Sequence, residues 1–194
     1  MPRVRAVPAA EVSGKARRIY DRAATYGPFA GLVAVMANRP PVLEHVFGLL
    51  LDLKAEDVLP NRYLELALLT VSSLNRCTFC VSNHTPRLTA AGISEAAARN
   101  ILDFETIDEF DTVDRLVIEY AIAVTNDFHR VRDATFERLR SHFDDAQIVE
   151  LTWRIALCGA FNRFNDVMQT EIDAGVEVLE QQSDEGGGSR PMRG

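Results

Sequence analysis

At 194 residues the chain has the size of one domain with room for a substantial core. Its 47% hydrophobic and 25% charged residues exclude disorder for most of its length. With 21 Lys and Arg against 28 Asp and Glu the net charge is −7, which argues against nucleic acid or an anionic membrane as the main partner, since both select basic surfaces. The N-terminal stretch is locally basic (Arg3, Arg5, Lys15, Arg17, Arg18, Arg22) but lacks the apolar core of a signal peptide, and no later run has membrane length. A cytoplasmic location is therefore expected. Three cysteines, two of them close together, do not make a secreted disulfide framework. In a reducing compartment such a pair is more often catalytic or metal-binding.

Almost every segment repeats with helical period and none alternates as a strand, so the chain is predicted to be all-α. A first helix is expected from Ala9 to Ala24, broken by Tyr26-Gly27-Pro28 before a short helix around Phe29 to Met36. Pro40-Pro41 opens a helix through Val42, Val46 and Leu49 to about Leu53. The helix from Asn61 to about Leu74, started by Pro60, is apolar on nearly every side and reads as central. After Cys77 a helix runs to Ala91, Gly92 stops it, and Ser94 caps the next. Further helices are expected from Asp111 to about Asn126, from an Asp133 cap through Phe143, and from Asp145 to about Val178. The last is opened by an Asp144/Gln147 capping box, and Gly175 is expected to shorten or bend it. The acidic run Asp103 to Asp114 reads as solvated surface and capping. Residues 1–182 form a single domain in this reading, and 183–194, without a large apolar side chain except Met192, form a disordered tail.

The chemistry concentrates between Glu65 and His84. Cys77, Cys80 and His84 are spaced i, i+3 and i, i+4, which lines them along one face of a helix. A thiol reacts as thiolate, and both a helix N-terminus and a neighbouring imidazole favour that form. Glu65 lies on the preceding helix, and the link near Asn75 and Arg76 is almost nil. If the two helices fold back as an antiparallel pair, Glu65 falls within one turn, about 5 Å, of His84. Glu65 would then orient His84, and His84 would take the proton from Cys80. A straight continuation would instead separate Glu65 from Cys77 by roughly 18 Å and forbid the relay.

At Glu65, Asn75, Cys77-Thr78-Phe79-Cys80 and His84 the chain resembles the carboxymuconolactone decarboxylase superfamily, in its alkylhydroperoxidase D-like branch. The similar pattern extends over roughly Pro40 to Asn126, and Phe161-Asn162-Arg163-Phe164 resembles a feature of the family's later helix. The resemblance implies an all-α multi-helix bundle whose central antiparallel helix pair carries the Cys-x-x-Cys, working as a homo-oligomer. It also implies reduction of hydroperoxides through a dithiol and disulfide cycle, without a cofactor or metal. Cys80 would be peroxidatic and Cys77 resolving, with an external thiol reductant, a lipoyl- or thioredoxin-like protein, closing the cycle. The helix dipole alone would favour Cys77 as nucleophile; the i, i+4 neighbour His84 favours Cys80. One departure stands out: Phe79 occupies the position where the branch carries a second, proton-relaying histidine.

Other readings remain open at this stage. The same four side chains could ligate zinc, since thiolate, imidazole and carboxylate all suit that ion. A lactone-directed lyase of the same superfamily is a second alternative, although it typically lacks the dithiol. A non-enzymatic redox sensor is a third, favoured by Phe79. Cys158, within an apolar helix, reads as core. Asn162, Arg163 and Asp166 read as a polar network or a subunit contact. His129 and His142 lie far along the chain, with nothing to place them near the thiols.

Overall fold

The computed structural model describes residues 2–23 and 25–180, and among these every regular element is a helix. In chain order they are α1 Gly14–Ala23, α2 Ala30–Met36, α3 Pro40–Val42, α4 Gly48–Glu56, α5 Asn61–Leu74, α6 Thr78–Ala90, α7 Glu95–Arg99, α8 Thr112–Asn126, α9 Asp133–Arg140 and α10 Asp145–Met168. A π turn, Leu43–Phe47, joins α3 to α4. The tail expected from residue 183 lies outside the described residues. Among the described residues no helix is long and apolar enough to cross a membrane.

The central helix is α5, which packs against α6, α8 and α10. Eight consecutive residues, Glu65 to Ser72, are buried. The Thr70 and Ser72 hydroxyls donate to the carbonyls of Leu66 and Leu68, both at 2.7 Å, so their burial leaves no orphan donor. Two apolar clusters flank this helix pair. One gathers Leu66, Leu69, Leu116, Val117, Leu151 and Ile155 from α5, α8 and α10. The other joins the N-terminal helices and the π turn, through Val33, Leu43 and Phe47, to Cys77, Phe79 and Cys80. α6 belongs to both, since Val81 and Leu88 face the first cluster.

The reversal between α5 and α6 is a Schellman corner. Cys77 N–H donates to Ser72 O at 3.0 Å and Arg76 N–H to Ser73 O at 3.1 Å, with Arg76 left-handed at φ 53°. The two helices are therefore antiparallel, the arrangement on which the sequence-based site depends.

Several expectations are corrected. The first helix is split into a 3-10 turn at Ala9–Glu11 and α1, because Gly14 enters the left-handed region at φ 61°. α10 ends at Met168, not near Val178, with Gln169 left-handed at φ 54°; Gly175 lies beyond the helix. The chain then returns as an irregular strap. Asp173 accepts from the Ala30 and Gly31 N–H groups at 2.7 and 2.9 Å, capping α2. Leu179 N–H donates to Ser82 Oγ of α6 at 2.8 Å. Gly31 is required there, because a Cβ would sit 2.6 Å from Glu171 O. Asp114 is not solvated: it is fully buried, held by Arg62 of α5 at 2.5 Å, and completes a capping box with Asp111. Trp153, on α10, is 51% exposed.

Candidate active site

Cys77 is the N-cap of α6, in extended conformation at φ −84° and ψ 95°, and Cys80 sits in the first helical turn. Both are buried free thiols. They are not equivalent. Hydrogen bonding to the Cys80 sulfur, followed by burial, pushes the Cys77 thiol well above its ordinary range, so Cys77 keeps its proton. The Cys80 sulfur also accepts from Asn165 Nδ2 of α10 at 3.5 Å, and it lies where the helix dipole favours negative charge.

One turn further along α6, His84 Nδ1 is 2.8 Å from Glu65 Oε2. The second carboxylate oxygen of Glu65 is 3.2 Å from Arg87 Nε, again on α6. Glu65 is 1% exposed. Burial is the largest single influence on its carboxyl and acts upward, but His84, Arg87 and Arg154 together outweigh it and hold the group below the usual carboxylate range. An ionised carboxylate only accepts, so the proton of this bond belongs to His84 Nδ1, which turns Nε2 away from Glu65.

His84, Cys80 and Asn165 line a cavity of about 50 Å³ whose other walls are mostly apolar, among them Phe29, Phe47, Leu68 and Phe79. Arg154, 2% exposed, is the cation on this wall. The structure thus brings Glu65, His84, Cys80 and Cys77 into one region. Among the described residues His84 and Cys80 share the cavity without a direct hydrogen bond to each other, so a proton passing between them needs a bridging group. Phe79 packs against Phe29 with ring centroids 6.2 Å apart and carries no proton. His129 and His142 are exposed and do not line the cavity.

Cys158 also lines the cavity, but burial pushes its thiol up to about 12, so it stays protonated at neutral pH. Its neighbours are Ser72 Oγ at 3.5 Å and Asn162 Nδ2 at 3.8 Å. Asn162 also accepts from Asn75 Nδ2 at 2.8 Å, tying α10 to the α5–α6 corner. The zinc alternative finds no support in this geometry. Among the described residues no three His, Cys, Asp or Glu side chains are placed to hold a metal ion.

Sequence reasoning missed Arg87, Arg154 and Asn165. Arg87 had a signal, lying i+3 from His84 on the same face. Arg154 had a weaker one, a lone charge inside the apolar LTWRIALC. Asn165 had none.

Residues 40–121 match the model of the carboxymuconolactone decarboxylase family, which is less than half of the chain. Its fold is that of the alkylhydroperoxidase D-like branch. The uncharacterized peroxidase-related protein from Ralstonia eutropha JMP134, with an alkylhydroperoxidase AhpD core, superposes with a TM-score of 0.76 at 21% identity, covering 89% of this chain and 93% of that one. The uncharacterized protein YdfG of Bacillus subtilis (strain 168) is 28% identical over 105 residues, which are 54% of this chain and 71% of YdfG. The fold also serves other chemistry. The debrominase Bmp8 superposes with a TM-score of 0.64 at 22% identity, over 81% of this chain and 86% of its own.

Proposed function

We propose that the protein is a thiol-dependent peroxidase in which Cys80 attacks a hydroperoxide and Cys77 resolves the product. The observation that carries this reading is the buried Glu65–His84 pair, with its 2.8 Å bond, beside a first-turn thiol in an apolar cavity. The thiolate of Cys80 attacks the distal peroxide oxygen, the S–O bond forms as the O–O bond breaks, and sulfur is oxidised by two electrons. The leaving alkoxide takes a proton, which His84 supplies across the cavity while Glu65 balances its charge. Cys80 sulfenic acid then condenses with the Cys77 thiol, releasing water and leaving a disulfide. The unequal thiols support these roles: Cys77 holds the proton that the departing hydroxyl needs.

An external dithiol of lipoyl- or thioredoxin-like type returns the disulfide to two thiols. The cycle uses no cofactor. Self-association belongs to the same proposal. Val149, Trp153, Ala156, Ala160 and Val167 expose a stripe along α10 with coiled-coil spacing, suited to a second copy of the same helix.

The test is anaerobic mixing of reduced protein with ethyl hydroperoxide, with thiols counted by mass spectrometry. Wild type should lose the Cys77 and Cys80 thiols and keep Cys158. Cys80→Ser should not consume peroxide, and Cys77→Ser should consume about one equivalent and stall. Equal loss in both variants would refute the assignment of roles.

A further inference from the structure

Arg154 is a buried cation that the scheme above does not use. Among the described residues its one hydrogen bond runs from Nη2 to Tyr26 Oη at 2.9 Å. Among the described residues its Nε and Nη1 have no acceptor, although the side chain is 2% exposed; it lines the cavity that holds Cys80 and His84 and also a second one beside Glu150 and Arg87. Burying a guanidinium donor without an acceptor costs free energy, so a site that keeps two such donors is shaped for an acceptor that arrives from outside. The nearby carboxylates Glu65 and Glu150 act on Arg154 as charges, but among the described residues neither accepts a hydrogen bond from it. Glu65 is engaged by His84 and Arg87. Glu150, one turn back on α10, has its carboxyl drawn down by Arg154 but pushed up more by burial.

In the same cavity the proton for a leaving alkoxide has to come from His84, across the space from Cys80. Phe79 stands between the two cysteines, and His84 has no direct bond to Cys80 among the described residues. An alkyl hydroperoxide leaves as an alkoxide, a strong base that must be protonated as the O–O bond breaks. A peroxy acid leaves as a carboxylate, a weak base that needs a cation and not a proton. We propose that the preferred oxidant is a short-chain peroxy acid, whose leaving carboxylate is received by the free donors of Arg154. The step balances without an added proton. The Cys80 thiolate takes the terminal OH of the peroxy acid, sulfur is oxidised to the sulfenic acid, the O–O bond breaks, and its electron pair leaves on the carboxylate. A cavity of about 50 Å³ holds a few heavy atoms, which sets the chain length.

This inference rests on the thiol peroxidase reading, so its test separates the two. Reduced full-length protein is mixed rapidly with peroxyacetic acid or ethyl hydroperoxide, and the rate of Cys80 oxidation is divided by that of free N-acetylcysteine with the same oxidant. The corrected preference for peroxyacetic acid should be about tenfold or more in wild type, and Arg154→Met should remove most of it. Sodium acetate should slow the wild-type reaction with peroxyacetic acid, whereas acetamide, equal in size but uncharged, should not. The acetate comparison needs no variant, so it decides the matter even if Arg154→Met fails to fold. A preference equal to that of the free thiol, one unchanged in Arg154→Met, or equal effects of acetate and acetamide would overturn the assignment. A wild type inert to both oxidants would overturn the peroxidase reading along with it.

Discussion

Glu65 shows how one buried carboxylate can serve both stability and chemistry. Its folded pKa lies below the ordinary range, so its contribution to stability is complete above the unfolded value near about 4.3 and is lost as pH falls towards the lowered one. Glu65→Gln should therefore flatten the acid side of the stability profile, measured by urea melts between pH 7 and pH 3. At neutral pH the same substitution should cost about 3 kcal/mol, because it leaves Arg87 and Arg154 without their buried counter-charge. An unchanged acid limb would mean that the carboxyl does not ionise as the geometry implies. Cys158 is the contrasting residue. With its thiol held near 12 it should resist iodoacetamide at pH 8 in the native protein and react only after denaturation, which peptide mapping would reveal.

At the scale of elements, α5 and α6 were legible because their signals are local. The apolar run from Leu64, the short link at Asn75 and Arg76, and the stop at Gly92 mark out the two helices, while the choice between a straight run and an antiparallel pair is made by the left-handed Arg76. Gly92 sits at φ 97°, and a Cβ there would meet only Arg62 Nη1 at an ordinary 3.7 Å. Gly92→Ala should thus cost about 1–2 kcal/mol through backbone strain alone, seen as a lower urea midpoint with unchanged slope. What the sequence hid was long-range. Nothing around Gln169 announces the end of α10. The helix stops because Thr170 N–H turns back to Asn165 O, Asp173 caps α2, and Leu179 is buried against α6. Asp114 looked like one acid among many until Arg62, 52 positions away, was placed beside it. Arg154 was hidden for the same reason, since its surroundings come from the N-terminal helices and its own neighbours are apolar.

For the whole molecule, the proposed self-association uses the outward stripe of α10. Trp153→Arg places a charge in the middle of it. The variant should elute as a smaller species than wild type in size exclusion with light scattering, and identical masses would remove this helix from the interface. The two apolar clusters meet at α6, which places Cys77 and Cys80 where they join.

Cys77 has no exposed surface at all. In the proposed cycle a protein-sized electron donor therefore cannot reach Cys77 while the first turn of α6 stays closed, and with Cys80 only 4% exposed it must wait for a local opening. Regeneration should then reach a ceiling as donor concentration rises, with the ceiling set by how often that turn frays and not by how tightly the donor docks.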